Sequence, residues 1–333
     1  MNYVVRRGPR LFLTGGLLVC CCLALAVLSL GTGSLPLSIP QVMEALWGTA
    51  PDPVRIVVTH WRLPRVAVAL LLGAALGASG AIFQSLMRNP LGSPDILGFN
   101  TGAHSGVLLA IVLFNSGYST ITAAAMAGGG LTAVAVYMLA WRNGIHTFRL
   151  IIVGIAVRAL LVAANTALVV GASLESALSA GLWSAGSLNG VTWAKCLPAA
   201  VIIALALLLA LALARSMRLL EMGDDAARGL GVSAERTRLG LMSAGVALTA
   251  AATAVAGPIS FIALVAPQIS RRLAVGGTAS IPLAAITGSL LLLAADLAAQ
   301  RLFSPYQLPV GVVTVCIGGI YLIALLIRES RKT

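Results

Sequence analysis

Charge is what this 333-residue chain has least of: Asp, Glu, Lys and Arg together make up 10% of it, and aromatic residues 5%. Soluble domains carry about 25% charged residues, so this composition cannot supply a solvated globular surface. Lysine occurs only at Lys195 and Lys332, neither in the Gly-rich setting of a phosphate-binding loop, which excludes ATP hydrolysis by this chain. The three histidines form no H-E-x-x-H pair. Cys20, Cys21 and Cys22 are consecutive, so on a helix they point around it and cannot converge on one metal, and Cys196 and Cys316 stand apart. No carboxylate pair or activated nucleophile suggests catalysis. The expectation is no enzyme, no cofactor and no metal site. The net charge of +12 does not indicate a nucleic-acid partner, because the basic residues are scattered over many short connections.

What is abundant is apolar: 59% of residues are hydrophobic, with a mean hydropathy of +0.98. A helix crossing a bilayer needs about 20 apolar residues. The uncharged runs predict an all-α integral membrane protein with about ten transmembrane helices, filling residues 1–333 as one permease domain. Their approximate ranges are 11–30, 65–86, 97–115, 120–140, 149–170, 196–214, 239–256, 258–275, 280–300 and 309–327. Breaks are expected at Asn115-Ser116-Gly117-Tyr118-Ser119 and at Gly257-Pro258. Short, Gly/Pro-interrupted spans in transporters often border the substrate path; two tilted packing helices are the alternative for 239–275. Threading from a cytoplasmic N-terminus puts 16 basic residues inside and 5 outside, an orientation that obeys the positive-inside bias with both termini cytoplasmic.

Four features stand out from the apolar background. The cytoplasmic loop at about 215–238 is the one sizeable polar feature facing inside. There Asp224 can cap a short helix with Asp225 in its first turn, ended by Gly229 and Gly231, with Ala226, Ala227, Leu230 and Val232 giving it a small apolar surface. It suits either close approach of a motor protein or plain solvation. Outside, Arg62 and Arg65 in WRLPR and Arg301 run against the charge bias; they could receive acidic side chains of a partner or anchor lipid headgroups. The external segment at about 171–195, with Trp183 and Trp193, is too polar to span and reads as interfacial or re-entrant. Arg158 falls near the middle of a span, where a charge usually faces a cavity or a partner. It either lines a pathway, possible for an anionic solute, or forms a structural pair with Asp296. A separate ATPase or an ion gradient could drive such a protein. The latter, a secondary transporter of an anionic solute, would be expected to carry more ionisable groups in its core than Arg158 and Asp296.

The segments WRLPRVAVALLLGAALGASGAIFQSLMRNPLGSPDILGFNTGA (61–103), RLLEMGDDAARGLGVSAERTR (218–238), GPISFIALVAPQISRR (257–272) and LPVGVVTVCIGGIYLIALLI (308–327) stand in one order along the chain. Together they resemble the iron-siderophore and vitamin B12 ABC-importer permease family. The resemblance implies a type II importer permease of the bacterial inner membrane. It also implies a second permease subunit, two cytoplasmic ATPase subunits, a periplasmic binding protein and, here, a ferric catecholate siderophore as cargo. It implies that residues 224–232 dock the ATPase and that Arg62, Arg65 and Arg301 receive glutamates of the binding protein. Gln268 departs from the family pattern, in which many members carry His.

Overall fold

The computed structural model describes residues 7–114, 118–142, 147–274, 280–304 and 306–330. Among them the elements are helices: α1 (Arg7–Gly31), α2 (Ile39–Trp47), α3 (Asp52–Ile56), a π-helical turn (Val57–Arg62), α4 (Leu63–Leu86), α5 (Phe99–Phe114), α6 (Tyr118–Ala140), α7 (Thr147–Val170), α8 (Leu174–Ser184), α9 (Trp193–Ala212), α10 (Ala214–Glu221), α11 (Asp224–Gly229), α12 (Ala234–Ala256), α13 (Ile262–Leu273), α14 (Ile281–Arg301) and α15 (Val310–Ser330). Seven units among the described residues are long and apolar enough to cross a membrane: α1, the continuous α3–α4 rod, α6, α7, α9, α12 and α14. Shorter apolar stretches lie in α5 (Phe99–Val112) and α15 (Val310–Leu325). The expected break at Asn115-Ser116-Gly117 and the terminal basic residues Arg6, Arg331 and Lys332 lie outside the described residues.

Small residues decide which helices touch. A side chain at Gly73 or Gly77 of α4 would strike the backbone of α14 at Gly288 and Ala284, so these two helices meet backbone to backbone. With no hydrophobic drive between helices in lipid, such close packing supplies the attraction. Hydroxyls add to it: Ser289 Oγ donates to the Leu70 carbonyl at 2.7 Å, and Ser79 Oγ to the Gly245 carbonyl of α12 at 2.8 Å. The consequence is a layered molecule. In their most apolar stretches α4 and α12 are 78% and 72% buried, whereas α7 is only 17% buried and leaves its flank uncovered.

The π turn before α4 has a local cause. Leu63 N–H bonds the Val58 carbonyl in the wide register, and the carbonyl of Thr59 would need the N–H of residue 64, which is proline. The indole Nε1 of Trp193 donates to that Thr59 carbonyl instead, at 3.1 Å. The turn aims Arg62 and Arg65 from the same end of the rod.

The break at Gly257-Pro258 is present, but α13 begins four residues beyond the expected position. Gly257 and Phe261 both hold left-handed φ angles (73° and 71°), and Pro258 between them lacks an amide donor, so residues 257–261 form an irregular bridge. The external segment likewise divides. Ser173 Oγ accepts from the Ser176 amide and starts α8, while Trp193 and Lys195 already belong to the first turn of α9. The end of α8 is pinned beside the α12–α13 bridge, with the Ser187 amide donating to Ala256 O at 2.7 Å and the Gly311 amide to Gly186 O at 3.0 Å.

Candidate functional site

Three polar places hold the residues expected to be functional. At one end, α11 is a helix of six residues whose amino end differs from expectation. Gly223, at φ 117°, occupies the cap position, and Asp224 is the first helical residue. The carboxylate expected to cap the helix is drawn away by two cations from distant helices. Arg238 Nη2 of α12 donates to both of its oxygens at 3.0 Å, and Arg88 Nη2, just past α4, donates to Oδ1 at 2.8 Å and to the Leu220 carbonyl at 2.9 Å. Arg88 reaches it from a left-handed backbone, φ 48°. Burial pushes the Asp224 carboxyl up, but the Arg238 hydrogen bond and the charges of Arg238 and Arg88 outweigh this and hold it below the usual carboxylate range. Asp224 therefore clasps α11 to the ends of the two most buried helices.

The rest of α11 sorts by exposure. Ala227, expected on the docking surface, is fully buried, because the loop curls over it: the Val232 amide donates to the Ala227 carbonyl at 2.9 Å and the Gly231 amide to that of Arg228 at 2.9 Å. Val232 is half-buried. Gly231 closes this turn at φ 81°. Asp225, Ala226, Gly229, Leu230 and Gly231 are exposed, Leu230 at 61% and the nearby Met222 at 68%. An apolar knob flanked by small residues is what the molecule presents there.

At the opposite end, the three expected arginines do different things. Arg65 is engaged in a bidentate pair with Asp296 of α14: Nε to Oδ2 and Nη2 to Oδ1, both 2.9 Å, with Asp296 fully buried and also accepting from Gln300 Nε2 at 2.8 Å. Asp296 is thus committed to Arg65, which leaves the first alternative for Arg158, a cavity, rather than the second, a structural pair with Asp296. Asp296 stands near the outer end of α14 and Arg65 in the first turn of α4, so their depths match, whereas Arg158 lies half-way along α7. Arg62 donates to the carbonyls of Leu30 (2.7 Å) and Leu35 (2.6 Å) and so ties down the α1–α2 connection. Arg301 is exposed, its side chain has no hydrogen-bond or ion-pair partner among the described residues, and its charge is felt at Arg62. Between these groups lies a polar hollow of about 190 Å³ lined by Ser29, Trp61, Arg62, Arg65, Gln300 and Gln307.

The third place is a cavity of about 460 Å³ beside α7, reached by Arg158, Asn165 and Thr166 from that helix, Asp95 and Asn100 from the α4–α5 turn and start of α5, His104 from α5, and Pro258 and Ser260 from the irregular bridge. Arg158, Val162, Asn165, Thr166 and Val169 follow one face of α7. Gly98, at φ 83°, lets the α4–α5 turn lie against the Arg158 backbone. Asn100 donates to Asp95 and accepts from Thr253 Oγ1 at 2.8 Å, and His104 stacks on Trp183 with ring centres 5.8 Å apart. Arg158 is exposed on the uncovered flank, close enough to be felt by Asp95 but not paired with it. His104 Nδ1 and Asn165 Oδ1 are buried without a partner among the described residues. Such an assembly faces water or another subunit, since lipid would leave a charge and several polar groups unsatisfied.

Comparison with known proteins decides the class. The FecCD transport family model matches residues 21–328. The chain belongs to the FecCD transport family. Among its relatives, the ferric enterobactin transport system permease protein FepG of Escherichia coli K12 is 64% identical with both chains covered in full. The achromobactin permease CbrC of Dickeya dadantii is 38% identical over 93% of this chain and 89% of its own, and the hemin permease HmuU of Yersinia pestis 36% over 98% of each. A solved inward-facing chain of a metal-chelate-type ABC transporter superposes with a TM-score of 0.84 at 27% identity, covering 93% of this chain and 97% of that one. This FecCD chain is thus a multi-pass membrane permease of an ABC importer, working with ATPase and substrate-binding partners, and a transport component rather than an enzyme.

Sequence reasoning did not single out several residues of these sites for the roles they hold, among them Arg88 and Arg238 of the clasp and Asp95, Asn100 and Asn165 of the cavity. Asp95 carried a signal, being the lone acid between Asp52 and Glu175. The others differ from their neighbours in no local pattern.

Proposed function

We propose that this chain forms one half of an inner-membrane pathway for a ferric catecholate siderophore, most specifically ferric enterobactin. In this reading it pairs with a second permease subunit above two cytoplasmic ATPases and receives cargo from a periplasmic binding protein. The full-length 64% identity to FepG carries the substrate assignment. The cavity chemistry supports it: a cationic Arg158 with amide and imidazole groups suits an anionic complex, while the largely apolar surroundings limit how tightly it is held.

The chain crosses the membrane ten times in this proposal, the seven long units being joined by α5, α13 and α15, with both termini and α11 in the cytoplasm. The exposed knob of α11, Asp225, Ala226, Gly229, Leu230 and Gly231, seats the ATPase; Asp224, Ala227 and Val232 hold that helix in shape. On the periplasmic face the Arg301 side chain, which has no partner among the described residues, offers its charge to an acidic group of the binding protein. Arg62 and Arg65 shape the hollow beside it through their internal bonds. Reconstituted in vesicles with its partners, the importer should take up ferric enterobactin only with ATP and the binding protein present. Arg158→Lys should keep part of the uptake, Arg158→Ala less and Arg158→Glu least, at unchanged abundance. Uptake that follows an ion gradient without ATP would reject the importer reading, and equal uptake per folded molecule in Arg158→Glu would remove Arg158 from the pathway.

A further inference from the structure

On the same side as α11 lies a cavity that none of these roles uses. It measures about 380 Å³ and is walled by Asn89, Pro90 and Leu91 of the α4–α5 turn, by Gln268, Arg271 and Arg272 at the end of α13, and by Leu322 and Leu325 of α15. Gln268 joins the walls: its Nε2 donates to the Pro90 carbonyl at 2.9 Å, and Tyr321 Oη of α15 donates to its Oε1 at 3.4 Å. Arg271 is held in place by Gln84 Oε1 and, at 3.4 Å, by the Pro267 carbonyl. Arg272 is exposed, with its guanidinium 5.9 Å from the centre of the Tyr321 ring.

Among the residues whose side chains are described, which excludes Glu329 of α15, no carboxylate stands within ion-pair distance of Arg271 or Arg272. The acid whose field reaches Arg271 is Glu221 of α10, which is not paired with it. The cavity therefore joins two cations that have no acidic partner among the described side chains to leucines, where transmembrane helices finish. A free phosphate would satisfy the arginines and leave the leucines wet, and a neutral lipid would do the reverse. A basic pocket between helices at the cytoplasmic membrane surface fits a lipid phosphate whose acyl chains run along the apolar wall.

We propose that this cavity binds the phosphate of an anionic phospholipid of the cytoplasmic leaflet. The proposal rests on the reading above only in placing α11 on the cytoplasmic side. The lipid would brace residues 89–91 of the α4–α5 turn, which directly follow the Arg88 of the clasp, so its occupancy bears on the contact that joins the end of α4 to α11.

The test is lipid retention by the whole purified importer, measured by native mass spectrometry after incubation with phosphatidylglycerol or phosphatidylcholine. Phosphatidylglycerol should be retained preferentially, and Arg272→Gln, which breaks no hydrogen bond, should weaken retention about fivefold. Arg271→Gln with Arg272→Gln should weaken it further, and Arg272→Lys should restore most of it. Equal retention of the two lipids, or unchanged phosphatidylglycerol in Arg272→Gln, overturns the proposal. Displacement by millimolar inorganic phosphate would reassign the site to a soluble anion. A photo-crosslinker at Leu325 that captures the ATPase rather than lipid would show a protein contact in its place. None of these readouts depends on the siderophore, so the lipid site and the transport reading can fail separately.

Discussion

The Arg65–Asp296 pair shows how much a single buried charge constrains. Asp296 is fully buried, with Arg65 and Gln300 as its hydrogen-bond partners, and Arg65 also donates to Gln307 Oε1 at 3.2 Å. Removing one partner of such a pair costs about 3–5 kcal/mol because the other charge is left uncompensated, a penalty that removing both partners avoids. Arg65→Ala should therefore cut the amount of folded protein in the membrane severely, and Arg65→Ala with Asp296→Ala should recover much of it. Arg301→Glu should leave abundance unchanged and weaken binding-protein affinity. Membrane abundance beside binding-protein affinity separates these cases; an abundant Arg65→Ala, or a double variant no better than the single one, would refute the structural role. The arginines were visible in the sequence as exceptions to the charge bias, but their division of labour was not. Arg65 and Asp296 lie 231 positions apart, and only the packing of α4 on α14 brings them together.

At the scale of the element, the short helix in the 215–238 loop was legible because its cause is local: two acids at its start, glycines at its end and small residues between. What was not legible is that Asp224 reaches outward to Arg88 and Arg238 instead of capping its own helix, and that Ala227 faces inward. The clasp ties α11 to the ends of α4 and α12, the elements most deeply packed, and in the proposed importer movement of α11 passes to them through it. Asp224→Asn should accordingly preserve co-purification with the ATPase while lowering transport per ATP hydrolysed, and Leu230→Asp should lower co-purification itself. Because the Asp224 carboxyl is held below its ordinary range, the clasp's contribution is complete above the ordinary value and is lost only as pH falls through the lowered one. Coupling efficiency should thus be flat through neutral and mildly acidic pH. A fall in coupling around neutral pH, or wild-type coupling in Asp224→Asn, would contradict the clasp.

For the whole molecule, composition revealed a helical membrane protein but not which helices form its centre. Hydropathy treats α7 and α4 almost alike, yet 78% of the apolar stretch of α4 is buried and 17% of that of α7. The difference comes from Gly73 and Gly77 of α4, which admit α14, and from the mid-helix Arg158 of α7, which does not fit a close-packed apolar contact. An uncovered helix with polar groups along one face and Leu160, 71% exposed, on another has to meet two environments in the assembled importer. The Asn165 side should meet the aqueous path, and the Leu160 side lipid or the second permease. Single cysteines at Val162, Asn165 and Leu160 in a background without the native cysteines test this. A membrane-impermeant thiol reagent applied to the assembled importer should label position 165, and position 162 beside it, many times faster than position 160, because thiolate formation and reagent access both need water. Ferric siderophore added with the binding protein should slow labelling at 165 and leave the slow rate at 160 alone. Equal labelling at all three positions would mean that α7 turns no particular face to the path, and the cavity around Arg158 would then have to be explained by subunit packing alone.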